Sequence, residues 1–205
     1  MKKSLTVLAL AMGITGLSGV AHAQDSFGKP LDISFAVERP FGFYFGSAEI
    51  DPPGQGEIDR DGNGFALGWS QESNYYPVLA PRFGLDVFVI ERLSVGGSVG
   101  FISRNVEGDN NDRDGFIFAP RVGYFIDFSD HFGFWPRGGL TFYNLNDPDQ
   151  SQFLLALEGY FTFAPRDGFG FMFGPTIDFG LGGESGNDDY NERVLGILIG
   201  MFGWI

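Results

Sequence analysis

DGFIFAPRVGYFIDFSDHFGFWPRGGLTFYNL, residues 114–145, holds two runs in which large apolar side chains alternate with small or polar ones, parted by Ser129, Asp130 and His131. Read at the two-residue period of a β-strand, Phe116, Phe118, Val122, Tyr124, Ile126 and Phe128 share one face, while Ala119, Arg121, Gly123 and Asp127 share the other. The apolar face is the broader one. An ordinary soluble sheet buries its apolar face and wets the polar one, yet here the bulky face is too large to cover and the opposite face is small and charged. That pattern suits a strand pair curled around a narrow polar interior with hydrocarbon outside.

The alternation continues on both sides of this stretch. Residues 31–49 keep Leu31, Ile33, Phe35, Val37, Phe41, Phe43 and Phe45 in one phase, and a bulge is expected at Arg39-Pro40 because strict alternation would send Arg39 into lipid. Residues 78–90 and 93–105 follow, joined only by Glu91 and Arg92; then come 114–128, 132–146, 152–164, 168–182 and 193–205. Each of these eight segments reaches the ~9–11 residues that a tilted membrane strand needs. The connections 50–77, 106–113, 147–151 and 183–192 are the longer ones, and they alternate with the tight turns 91–92, 129–131 and 165–167. A barrel with both termini in the periplasm has that parity, long loops outside and short turns inside, whereas a β-sandwich has no cause to show it. Phe65, Leu67 and Trp69 also alternate, but a ninth strand would break the parity, so they are read as part of the first loop.

Residues 1–23 carry Lys2 and Lys3, an apolar run over 5–17, and Ala21-His22-Ala23 ahead of Gln24. This is the pattern of a cleavable export signal, and its apolar run is too short to span a bilayer as a helix. The expected organisation is a signal peptide at 1–23, a periplasmic N-terminal lead at 24–30 and a barrel at 31–205. Cysteine is absent, so stability must come from a closed hydrogen-bonded wall. The net charge is −13, and −15 once Lys2 and Lys3 leave with the signal, which argues against nucleic acid as a partner. With 32 glycines and 24 phenylalanines and no G-x-y period, the composition fits short strands, tight turns and an aromatic outer surface.

The signal, the eight segments, the loop parity and a chain that ends inside a strand with MFGWI resemble the small eight-stranded outer-membrane β-barrels, the OmpA transmembrane domain and OmpX-like class, over essentially all of the mature sequence. The resemblance implies an all-β, eight-stranded antiparallel up-and-down transmembrane β-barrel. It further implies location in the outer membrane of a Gram-negative-type bacterium, insertion by the barrel-assembly machinery, a monomeric state, and contact with outer-membrane lipids and lipopolysaccharide. Two departures are visible. Such barrels commonly end in an aromatic residue, whereas here Trp204 is penultimate and Ile205 is last, and the expected organisation does not include the peptidoglycan-binding half of OmpA-like proteins.

In this register the inward positions hold many glycines and a set of charges: Glu38, Arg82, Asp86, Arg121, Asp127, Arg137, Glu158 and Asp178. An eight-stranded lumen is only wide enough for side chains, and buried charges must pair, so an interior ion-pair network that fills the lumen is expected. A gated ion path is the alternative. P-R-x-G tetrapeptides begin at Pro81, Pro120, Pro136 and Pro165. In the first three the arginine points inward beside a glycine that leaves room for the guanidinium; the fourth is a turn.

Outer-membrane barrels that act on lipids use a histidine with serine and an acid or amide near the outer rim. The mature chain has one histidine, His131, in a periplasmic turn, so the base is missing where it would be needed and no enzyme is expected. Asp59-Arg60-Asp61-Gly62-Asn63-Gly64 matches the first half of a calcium loop, with Asp59, Asp61 and Asn63 as side-chain ligands, but Ser70 stands where the closing glutamate belongs. Ordinary turn chemistry and weakly bound calcium both fit that string, and no other cofactor is expected. The outer loops are strongly acidic, from Asp51 and Glu57 through Glu107 and Asp149 to Glu192, with Arg60 and Arg113 against them. The expected function is structural or surface-interactive through these loops; a small-conductance ion channel is the second reading and an outer-membrane enzyme the third.

Overall fold

The structure, a computed structural model, describes residues 27–52, 57–68, 76–104, 113–146 and 149–205. Its strands are β1 (Ile33–Asp51), β2 (Ile58–Leu67), β3 (Arg82–Ile90), β4 (Leu93–Arg104), β5 (Arg113–Tyr124), β6 (Ile126–Ser129), β7 (Phe132–Asn146), β8 (Gln150–Arg166), β9 (Phe169–Ser185) and β10 (Asp188–Trp204). All pairings are antiparallel. Strands β1, β3, β4, β5, β7, β8, β9 and β10 form a ring, because β10 pairs back onto β1 from Ser34↔Trp204 to Asp51↔Asp189. Closure of β10 on β1 pairs the backbone around the ring, as hydrocarbon requires, while the far edge of β2 and the β3-side edge of β4 beyond Gly100 stay outside the ladder. The short β6 continues β5 past Phe125 and pairs with β7. The fold is an eight-stranded antiparallel up-and-down transmembrane β-barrel.

Alternation sets the two faces of the wall. Phe43 is 62 % exposed and Tyr44 beside it 5 %, and the same contrast separates Phe116 from Ile117 and Phe153 from Leu154. Phenylalanine, leucine, isoleucine and valine cover the outside in a continuous belt, a surface that suits lipid and not water. No helix among the described residues is long and apolar enough to cross a membrane, so crossing falls to the strands.

The first connection differs from expectation. Residues 50–77 are not one loop: β2 pairs with the upper half of β1, from Phe41↔Leu67 to Ile50↔Ile58, and β3 pairs with its lower half, from Ile33↔Val87 to Glu38↔Arg82. The second wall strand is therefore built in two pieces. Between them the chain turns into the lumen, where the 3-10 turn Pro77–Leu79 is buried and Tyr76 and Ala80 are buried with it. The strand expected from residue 78 thus begins at Arg82. The physical reason lies in the apolar run Val78-Leu79-Ala80, which is enclosed on every side and so carries no alternation, and in Pro77 and Pro81, which cannot donate to a ladder. Trp69 lies outside the described residues.

Three further features shape the wall and its ends. At Arg39 (φ 59) β1 bulges, with its register on β10 shifting between Val37 and Phe41, so Glu38 and Arg39 both point inward. Strand β9 runs to Ser185 and β10 starts at Asp188, so the stretch expected as a loop at 183–192 is the tip of a hairpin turning at Gly186 (φ 65). The signal peptide lies outside the described residues, but the lead after it does not stand clear of the wall: the Phe27 ring enters the lumen between Phe88, Phe125, Trp135, Phe202 and Trp204, with centroids 4.9–5.2 Å away. The tight turns, Phe27 and the C-terminal Ile205 share one end of the barrel, the turn end; the other is the loop end.

Candidate functional site

The centre of the lumen is a layer of paired charges. Arg121 donates from Nη1 to Glu38 Oε2 at 2.7 Å and from Nε to Asp86 Oδ1 at 3.0 Å. Arg137 reaches Glu38 Oε1 at 2.8 Å and Glu158 Oε2 at 2.7 Å, with its guanidinium between the Trp135 and Tyr160 rings at 4.9 and 4.7 Å. Arg39 binds Asp178 at 2.7 Å, Glu158 at 2.9 Å and the Val78 carbonyl at 2.7 Å. Arg82 is also buried, but it donates to the Val78 carbonyl at 2.9 Å and to Thr141 Oγ1 at 3.4 Å instead of to a carboxylate. Glycine makes this density possible: a Cβ on Gly84 would stand 2.7 Å from Glu38 Oε1 and 2.8 Å from Arg121 Nη2.

Of the eight charges read as interior, the structure brings together Glu38, Asp86, Arg121, Arg137, Glu158 and Asp178 and places Arg82 alongside them. Asp127 is a correction. It lies on β6 below the Phe27–Phe125 aromatics, partly exposed, and pairs with Arg92 at 3.2 Å, because the lumen is already closed above it. Arg39 is the residue that the strand pattern did not assign to the layer. Its signal was arithmetic: Glu38, Asp86, Glu158 and Asp178 face only three arginines without it, and a buried charge left unpaired is costly. With Arg39 the layer carries four charges of each sign.

Apolar packing closes the lumen on both sides of this layer. Toward the loop end, Tyr76, Val78, Leu79 and Ala80 pack with Tyr44, Ile102, Ile117, Tyr143, Leu154 and Leu198. Toward the turn end, the aromatic residues Phe27, Phe88, Phe125, Trp135, Tyr160 and Phe202 cluster with Met172. Glu192, read as a rim residue, is fully buried instead; its Oε2 accepts from Tyr190 at 2.9 Å and lies 3.1 Å from the Tyr143 hydroxyl. It turns inward because the strand continues above the belt and keeps its alternation there.

The loop end is where the charge is unscreened. The hairpins β1–β2 and β9–β10 stand side by side and carry Glu49, Asp51, Glu57, Asp59, Asp61, Glu184 and Asp189. Register sets like charges opposite one another, Asp51↔Asp189, Glu49↔Asp59 and Asp189↔Glu184. The string 59–64 does not form the curled loop of a calcium site: Asp59, Asp61 and Asn63 lie in the extended β2, on one face, paired with Glu49, Ser47 and Phe45. A calcium loop must curl so that its ligands converge, and a strand holds alternate side chains apart. Glu49, Glu57 and Asp59 do bring carboxylate oxygens within 4.8 Å of one another, and the charges of Glu49 and Asp59 raise the Glu57 carboxyl above its usual range.

No family model and no curated protein matches the chain. Among solved structures, neisserial surface protein A is similar with a TM-score of 0.50 and 14 % identity over 82 % of this chain and 96 % of that one. The attachment invasion locus protein of Yersinia pestis gives 0.39 and 13 % over 83 % and 99 %, and OprG of Pseudomonas aeruginosa gives 0.41 and 11 % over 90 % and 99 %. The likeness to neisserial surface protein A places the fold with the small eight-stranded outer-membrane β-barrels.

Proposed function

We propose that this chain is a non-catalytic outer-membrane barrel with a closed lumen, whose structural or surface-interaction role resides in its acidic loop end. One observation carries the reading: the described lumen is filled at three successive levels, by the Tyr76–Ala80 packing, the charged layer and the Phe27 cluster, while the exterior is apolar. A filled eight-stranded barrel has no room for a path, and its belt is committed to lipid, so the ends are left for contact with anything else. Of the two ends, the loop end is strongly acidic and the turn end holds Phe27, Trp204 and the exposed His131. Export by residues 1–23, insertion by the barrel-assembly machinery, the monomeric state and the orientation that puts the loop end outside belong to the same proposal.

Membrane fractionation, the heat-modifiable gel shift of a folded barrel and single-channel recording test it. The folded form is expected in the outer-membrane fraction, with no conductance steps in a planar bilayer. Stable conductance that disappears in Arg121→Ala would defeat the closed lumen, and recovery as a soluble periplasmic protein would defeat the membrane placement.

A further inference from the structure

The outward face of the wall carries a cation that the charged lumen does not explain. Arg193 follows the buried Glu192 on β10, and the alternation turns it outward, where it is paired in register with Ser47 on β1 and Phe179 on β9. Its guanidinium carbon lies 4.9 Å from the Phe179 ring centroid, and it forms no ion pair with any described carboxylate. The other arginines whose side chains are described lie elsewhere: Arg39, Arg82, Arg121 and Arg137 face the lumen, Arg92 and Arg166 sit at the turn end, and Arg60 stands on β2 above the belt. Arg193 is the first polar outward residue above Leu195, so it marks the upper boundary of the belt on β10.

Beneath that guanidinium runs a groove of about 310 Å³ on the outer face, between Phe45 on β1 and Ile177 and Phe179 on β9, with Leu195 along it. Ser47, directly opposite Arg193, is short and leaves the space beside the guanidinium open. A cation over an apolar groove is the complement of an amphiphile with an anionic head and an acyl chain. Resting on the outer-membrane placement proposed above, we infer that the β1–β10–β9 face binds the phosphate of an outer-leaflet lipid through Arg193, with an acyl chain lying in the groove below.

Charge decides between a lipid and a soluble anion. Glu49, Asp51, Asp59 and Asp189 stand above Arg193 on the same hairpins, so an anion approaching from solution meets a repulsive field. Asp61 stands level with Arg193 across Ser47, so a lipid avoids this field by arriving within the belt from the β9 side, where Ile177 and Phe179 line the groove. The phosphate also supplies the counter-charge that a cation at a hydrocarbon boundary requires.

The test uses the folded full barrel in zwitterionic phosphatidylcholine bilayers doped with lipid A, with native mass spectrometry reading the lipid retained on release. Wild type is expected to retain lipid A over phosphatidylcholine, and Arg193→Gln to lower that preference about fivefold, the effect of one cation near an anionic surface. Ser47→Glu, which sets a carboxylate across from Arg193, is expected to lower it as well, so the inference stays testable if one variant folds poorly. Dephosphorylated lipid A should lose the preference, and millimolar inorganic phosphate should not displace the lipid. Equal retention by wild type and both variants, equal retention of dephosphorylated lipid A, or displacement by free phosphate would each overturn the site. None of these results touches the placement of the barrel, which fractionation reads separately.

Discussion

Arg121 donates to Glu38 at 2.7 Å and to Asp86 at 3.0 Å with almost none of its side chain in contact with solvent. Truncating it takes from buried Asp86 its nearest cation and leaves Glu38 with Arg137 alone, and breaking a buried pair costs about 3–5 kcal/mol. Urea unfolding of Arg121→Ala in lipid vesicles should show a loss of that order, and a loss no larger than an exposed ion pair contributes would show that the layer is hydrated. Glu57 is the contrasting case, because it is exposed and its carboxyl is raised by Glu49 and Asp59. The folded state then holds that proton more tightly than the unfolded chain, so local stability is higher below the raised value and falls as pH rises through the window above the usual carboxylate range. Hydrogen exchange of the β1–β2 hairpin amides, corrected for intrinsic rates, should show better protection at mildly acidic than at neutral pH. Glu57→Gln should flatten that dependence.

Elements that leave the wall close the lumen, and each has its own readout. Phe27 touches Trp135 and Trp204 with centroids 5.2 Å away, so Phe27→Ala should shift the tryptophan emission to the red and cost about 3–5 kcal/mol, the range for deleting a buried phenylalanine ring. Unchanged emission would place the Phe27 ring outside the cluster. At the loop end, the Val78 carbonyl accepts from both Arg39 and Arg82, which ties the inserted turn to the charged layer. Replacing residues 76–80 by a glycine-serine stretch should therefore destabilise the barrel without opening it, because the pairs of Arg121 and Arg137 do not depend on the turn. Conductance in that variant would mean that the turn alone closes the lumen.

At the scale of the whole molecule, apolar surface faces outward and charge faces inward, and the reversal holds around the ring because each strand repeats it. Alternation and loop parity made the wall legible: a strand that separates lipid from a narrow interior must place bulk on one face and small or charged groups on the other, and residues 114–145 display this without any partner in view. The inward side of Glu38, Arg121, Arg137, Glu158 and Asp178 was readable for the same reason.

Who pairs with whom was not readable. Arg39 meets Asp178 across 139 positions of chain and Glu158 across 119, contacts that exist only once β10 has closed on β1 and the bulge has turned Arg39 inward. The calcium-like string 59–64 reads as a loop until register with β1 draws it into β2. Val78-Leu79-Ala80 reads as strand because a segment buried on all sides has no period to betray it. By itself the sequence determined the class of fold, the strand faces and the parity of the ends, because these follow from a local two-residue repeat facing two solvents. Only the tertiary structure decided the closure of the lumen, the membership of its charged layer and the bare cation on its outer face, because each depends on ring closure and register between strands far apart in the chain.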